Sequence, residues 1–254
     1  MKFKFNVKRE LKIAAAIVVV VSIIAFTERR QSEVAIKDLS VKIKNSTNNH
    51  FLEESDIMDL MQLNMQSLRG ASTERVKLKD IESKIKKDPF IETAEMYTDL
   101  RGNLIVSVEL RRPIARIVRN DGPDGYIAED GTVMPVSERF TARVMLISGA
   151  YVPALLRQTN LNRTIEGTQL MQVINTIRMN EFWNAQIAQM DIDSKGNITL
   201  FPQVGDLRIE FGQPINEQTK LKKLMILYKE ILPRVGWNKY KRVNLEYEGQ
   251  LVAE

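Results

Sequence analysis

The sequence predicts an α+β protein: a single N-terminal transmembrane helix, a small β-α-α-β-β domain, then a larger β-rich domain with helices. Three observations predict it. An unbroken apolar run, IAAAIVVVVSIIAF at 13–26, follows a basic tail. Strand-like and helix-like periods then succeed one another in the order β-α-α-β-β up to about residue 110. Beyond Pro113, short alternating pieces are separated by glycine-containing turns, with amphipathic helices among them.

The apolar run comes first. Fourteen uncharged residues make a helix of about 21 Å, shorter than the roughly 30 Å hydrocarbon core. Leu11 extends it, and Lys12, Arg29 and Arg30 can snorkel to the two interfaces. The downstream AFTERRQSEVA lacks the small-residue pattern of a cleavage site, with bulky Ile23 where a small residue belongs. The run therefore reads as a retained anchor carried by Ile13, Ala14, Ile17, Val20, Ile23, Ile24 and Phe26. The tail holds Lys2, Lys4, Lys8, Arg9 and Lys12 against Glu10, which sets the N-terminus in the cytoplasm. Expected boundaries are a tail at 1–12, the membrane helix at 13–27, a first domain at 28–111 and a second at 112–254.

In the first domain, Ile36, Leu39, Val41 and Ile43 alternate as a half-buried strand. A helix follows with Ile57, Leu60, Met61 and Met65 on one face. A second short helix carries Leu78, Ile81 and Ile85 and is stopped by Pro89. IETAEMYTDLRGNLIVSVEL is a hairpin turning at DLRGN. RRP then breaks the pattern and marks a boundary. In the second domain, GYIAEDGTVMP reads as a hairpin and ARVMLISG as a strand. TQLMQVINTIRMNEFW is a helix, and AQIAQMDID, GNITLFP and LRIEFG are three strands. NEQTKLKKLMILYKEILP is an amphipathic helix, with Asn216 as N-cap and Pro233 as stop. The last element, YKRVNLEYEGQLVAE, puts Val243, Leu245 and Tyr247 on one face and Asn244, Glu246 and Glu248 on the other.

The composition excludes several function classes. The chain carries +5, but the tail supplies a surplus of four, leaving +1 for the folded part. That is no nucleic-acid footprint. Without cysteine there are no disulfides, thiolate metal sites or cysteine nucleophiles. His50 is the sole histidine, in a polar loop, so multi-histidine metal sites are excluded. Phosphate-binding, dinucleotide and nucleophile-elbow motifs do not occur. No cofactor and no small-molecule substrate are expected. Trp183 and Trp237 read as core or helix-boundary residues, and KYKR at 239–242 as the solvated approach to a strand.

Four stretches together resemble a known family. These are IKKDPFIETAEMYTDLRGNLIVSVELRRPIA, GYIAEDGTVMP, MLISG and RVNLEYEGQLVA, in that order along nearly the whole chain. The resemblance is to the FtsQ/DivIB cell-division family. It implies a POTRA-like first domain and a non-enzymatic divisome scaffold in the inner membrane at the division septum, its bulk periplasmic. It also implies binding of FtsB/DivIC-like and FtsL-like bitopic coiled-coil proteins and a link to septal peptidoglycan synthesis. Glu246 departs from the family, whose members often carry a basic residue there, so a salt bridge at that position is not carried over. Two alternatives stay open: a POTRA-bearing assembly or secretion chaperone, and a membrane-anchored extracytoplasmic hydrolase with His50 as its base.

A terminal strand with one apolar face can form a sheet edge that accepts a partner strand. Val243, Asn244, Leu245, Glu246, Tyr247 and Glu248 are the expected partner-binding edge, with Tyr247 as aromatic anchor. The competing expectation is an internal strand with Tyr247 in the core, which alternation alone does not separate from an edge.

Overall fold

The computed structural model describes residues 15–22, 36–47, 49–62, 77–119 and 121–254. Residues 15–22 form a helix, α1, whose side chains are all exposed. Among the described residues no helix is long and apolar enough to cross a membrane. Ile17 and Val20 of the expected anchor lie on α1, 57% and 55% exposed. Ile13, Ala14, Ile23, Ile24 and Phe26 lie outside the described residues.

Contacts divide the chain into two compact units. The first holds β1 (Asp38–Ile43), α2 (Glu54–Met61), α3 (Leu78–Ile85), β2 (Ile91–Thr98) and β3 (Asn103–Leu110). This is the β-α-α-β-β order expected. The sheet runs β1-β3-β2, with β1 parallel to β3 and Val41 opposite Val106. As the middle strand, β3 buries Val106, Ser107 and Val108 in succession instead of alternating. Helix α2 starts where the Asp56 carboxylate accepts the Glu53 backbone N–H at 2.8 Å. Ile57 and Met61, one turn apart, face the core with Ile85 of α3. Met65, expected on the same face, lies outside the described residues.

The β2–β3 turn is built by Asp99. Its carboxylate accepts the backbone N–H groups of Arg101 and Asn103, both at 2.8 Å, and the Asn103 side chain at 2.9 Å. Gly102 supplies the left-handed φ of 89° that the turn requires. Asp193, Lys195, Gly196 and Asn197 repeat the arrangement bond for bond in the second unit. The N–H donors hold both aspartates below the usual carboxylate range, Asn103 contributing most at Asp99 and Asn197 at Asp193.

The second unit is a nine-stranded mixed sheet. Its strands are β4 (Pro113–Ile117), β5 (Gly125–Ala128), β6 (Val133–Pro135), β7 (Met145–Ser148), β8 (Ile187–Ile192), β9 (Ile198–Pro202), β10 (Arg208–Gly212), β11 (Arg242–Asn244) and β12 (Val252–Ala253). They lie in the order β12-β11-β10-β9-β8-β7-β4-β5-β6. Helices α4 (Val152–Leu156), α5 (Ile165–Met179), α6 (Glu181–Gln186), α7 (Glu217–Ile226) and α8 (Leu232–Val235) complete it. Ile147, Met190, Leu200, Ile209, Phe211 and Val243 of the sheet share one core with Val173, Ile174, Trp183, Leu221, Leu224 and Tyr228 of the helical segments. The register aligns Ser148, Asp191, Thr199, Glu210 and Asn244 as a polar row across β7 to β11.

Three local expectations are corrected. The single helix expected to end at Trp183 breaks at Asn180, whose side chain accepts the Trp183 N–H at 3.1 Å and so caps a new helix. Asn216 precedes α7 with a left-handed φ of 55° and makes no side-chain cap. Pro233 does not stop the helix. A π turn at Leu227–Ile231 leads into α8, and Pro233 falls in its first turn, where a missing N–H costs little.

Residues 45–51, read from sequence as a loop of the first domain, group with the second unit. The Asn45 side chain donates to the Leu110 carbonyl at 2.7 Å and accepts its N–H at 3.0 Å. Phe51, 2% exposed, meets Tyr126 and Phe140 edge to face. Nearby, Arg111 Nε donates to Asp130 Oδ2 at 2.9 Å, and Thr132 gives Asp130 its N–H and its hydroxyl. Burial alone would raise the Asp130 pKa. The bonds from Thr132 and Arg111 outweigh it and leave the carboxyl below its ordinary value. A depressed folded pKa adds stability above the unfolded value near 4, lost as pH falls through the folded value. Asp130→Asn is therefore expected to cost about 1 kcal/mol at pH 7, a figure reduced for partial exposure. The cost should shrink as pH falls below about 4 in urea titrations. An unchanged cost at pH 3 would contradict the linkage.

Candidate partner-binding site

The expected binding stretch lies at one end of the nine-stranded sheet. β11 pairs with β10 in parallel, Ile209 opposite Val243 and Glu210 opposite Asn244. It pairs with β12 antiparallel, Val243 opposite Ala253 and Asn244 opposite Val252. The strand is therefore one position in from the edge, and β12 is the outermost strand. This corrects the expectation that 243–248 forms the edge itself.

The strand is also shorter than the alternation predicts. It ends at Asn244, whose side-chain oxygen accepts the Glu246 N–H at 2.8 Å. Such a bond offers the backbone a turn in place of the ladder. One further ladder bond, from Leu245 N–H to the Glu210 carbonyl at 2.9 Å, holds Leu245 in line. Val243 and Leu245 are wholly buried and Asn244 half-buried. Glu246, Tyr247 and Glu248 leave the sheet, and Tyr247 is 52% exposed. The core position considered for Tyr247 is thereby excluded. The six residues divide into a buried pair, one bridging asparagine and an exposed tip.

Sequence reasoning missed the residue that shapes this tip. Lys223 of α7 donates through Nζ to the carbonyls of Leu245 at 2.8 Å, Tyr247 at 2.7 Å and Gln250 at 3.0 Å. All three N–H donors of the ammonium are thus used, and the loop 245–250 closes around it. Burial lowers the Lys223 pKa, and Glu248 pulls it back. Nothing in TKLKKLMI separates Lys223 from its exposed neighbour Lys222, because the carbonyls that receive it lie over twenty residues away. Lys220 is similar. It is 7% exposed, with Nζ 4.7 Å from the Phe211 ring centre and 2.8 Å from the Gln213 carbonyl. Desolvation lowers its pKa, against the attraction of Glu246.

The polar face beside the tip is an ion lattice. Arg242 donates to both Glu210 oxygens at 2.7 and 2.8 Å and to Glu254 at 3.1 Å, and Asn244 donates to Glu210 at 3.0 Å. The Arg242 hydrogen bonds are the main reason Glu210 stays below the usual glutamate range. With Glu210 and Glu254 held this way, β11 and β12 are tied by side chains as well as by backbone. Among the described residues no three histidine, cysteine or acidic side chains group as a metal site. His50 is exposed and meets Phe140 edge to face.

Comparison with protein families matches residues 112–254 to the family described as FtsQ/DivIB, C-terminal related. Residues 35–109 match a POTRA-like domain. No curated protein matches at a significant level.

Proposed function

Because the chain belongs to the FtsQ/DivIB family of cell-division proteins, we propose that it is a bitopic membrane scaffold of the bacterial divisome. It binds FtsB/DivIC-like and FtsL-like coiled-coil proteins and links them to septal peptidoglycan synthesis. Its role is assembly and not catalysis. Residues 1–12 lie in the cytoplasm, 13–27 cross the inner membrane, and the POTRA-like domain at 28–111 and the C-terminal domain at 112–254 lie in the periplasm at the septum. The apolar run behind a basic tail supports that placement.

The observation that carries the proposal is the outer strand β12, beside an exposed aromatic held by a lysine latch. Its outer side has no strand partner among the described residues. A partner strand can add there through backbone hydrogen bonds, while Tyr247 supplies side-chain contact. In this arrangement Glu246, Tyr247 and Glu248 touch the partner. Val243 and Leu245 act from the core, and Asn244 sets the turn.

Tyr247→Ala is expected to weaken the partner complex about tenfold or more, with the melting temperature within about 2 °C of the parent. Isothermal titration with the purified partner domain measures the first and calorimetry the second. Unchanged affinity would remove Tyr247 from the site. In cells, depletion should give undivided filaments, and a fluorescent fusion should gather at the septum. Normal division after depletion would overturn the proposed role.

A further inference from the structure

The end of α8 and the turn that follows it make a tip that the scaffold reading does not use. Every residue from Pro233 to Lys239 is exposed. Val235 is 45% exposed and Trp237 58%. Between them Gly236 turns the chain with φ 103°, and a side chain there would meet nothing within 4 Å. The tip is therefore convex. Trp237 is nonetheless held from below: its ring meets that of buried Tyr228 at 6.1 Å, and Tyr228 packs edge-on to Trp183 at 5.5 Å.

Along the chain, the charge of the segment has one sign. No aspartate or glutamate occurs between Glu230 and Glu246, whereas Arg234, Lys239, Lys241 and Arg242 do. Lys241 reaches Asp206 at 3.4 Å and Arg242 is held by Glu210 and Glu254. Arg234 and Lys239 form no ion pair among the described residues.

From these observations we infer that the 233–239 tip docks on an anionic phospholipid surface, with Trp237 and Val235 at the interface and Arg234 and Lys239 on the headgroups. The size of the tip favours lipid over protein. A stable protein interface needs about 1,200 Å² or more, and one aromatic side chain supplies about 150–250 Å². A tryptophan beside unpaired cations is suited to the headgroup boundary. The inference stands apart from the divisome reading and from the manner in which the chain is anchored.

The two tryptophans make the test specific. Trp183, 2% exposed, is an internal reference, and Trp237 is the reporter. Full-length protein is mixed with vesicles of phosphatidylcholine alone or with 30% phosphatidylglycerol, each containing brominated lipid. Quenching and a blue shift are expected with the anionic vesicles, reversed by 0.5 M salt and abolished in Trp237→Phe. The pair Arg234→Glu and Lys239→Glu should reduce the quenching affinity about tenfold or more. Quenching that is absent from both vesicles, equal in both, or retained in Trp237→Phe would overturn the inference. So would protection of Trp237 from acrylamide by a purified partner without lipid quenching, which would assign the tip to a protein.

Discussion

Leu245→Asp is expected to unfold the end of the larger unit, whereas the change two residues on, Tyr247→Ala, is expected to leave the fold near normal. Leu245 is 0% exposed and belongs to the core shared by the sheet and helices. Removing it forfeits about 2–3 kcal/mol of apolar burial. An aspartate there is either ionised without adequate solvation or neutral with unmet hydrogen bonds, adding about 1–3 kcal/mol. A total of about 3–6 kcal/mol is a large share of the roughly 5–15 kcal/mol that stabilises a domain. β10, β11 and β12 should loosen together, because Leu245 N–H also carries the last ladder bond to Glu210. Limited proteolysis reads this as rapid cleavage after residue 212. A melting temperature within about 3 °C of the parent would show that Leu245 is not a core residue.

Lys223→Met should separate the loop from the fold. Methionine keeps much of the apolar stem but has no donor for the carbonyls of Leu245, Tyr247 and Gln250. Hydrogen bonds to charged groups contribute about 1.5–3 kcal/mol each, but the exposed carbonyls of Tyr247 and Gln250 can turn to water. A local loss of about 2–4 kcal/mol follows. Amide exchange in 245–250 should rise on the order of 30-fold or more. Partner affinity should fall about tenfold, with Trp183 emission unchanged. Lys223→Arg should rescue poorly, because a planar guanidinium does not match three convergent carbonyls as an ammonium does. Unchanged exchange in the loop would mean that the latch does not hold it.

The contrast between these residues shows where the sequence could be read. Local chemistry was legible. Asp99 and Gly102 announce their turn, and the alternation of Leu104, Val106 and Val108 announces a strand. The order β-α-α-β-β follows from such signals. The ends of elements were less so. Asn180 starts a new helix inside an apparently continuous apolar face, and Pro233 is tolerated because a π turn precedes it. The C-terminal stretch was legible by its period but not by its geometry. Val243, Leu245 and Tyr247 share one period, yet the Asn244 turn takes Tyr247 out of the sheet. β12 is two residues long, below any periodic signal, and Lys223 acts on carbonyls that only the tertiary fold brings to it.

The central claim is that a partner strand adds beside β12 under the Tyr247 loop. Site-specific photocrosslinking in membranes of dividing cells tests it most directly, with probes at Tyr247 and Val252 and a control at Glu53. Crosslinks are expected from both probe positions, and not from the control, to a small single-pass coiled-coil protein, in a species that keeps its N-terminal tag. A folded, membrane-bound protein that crosslinks at neither position would contradict it.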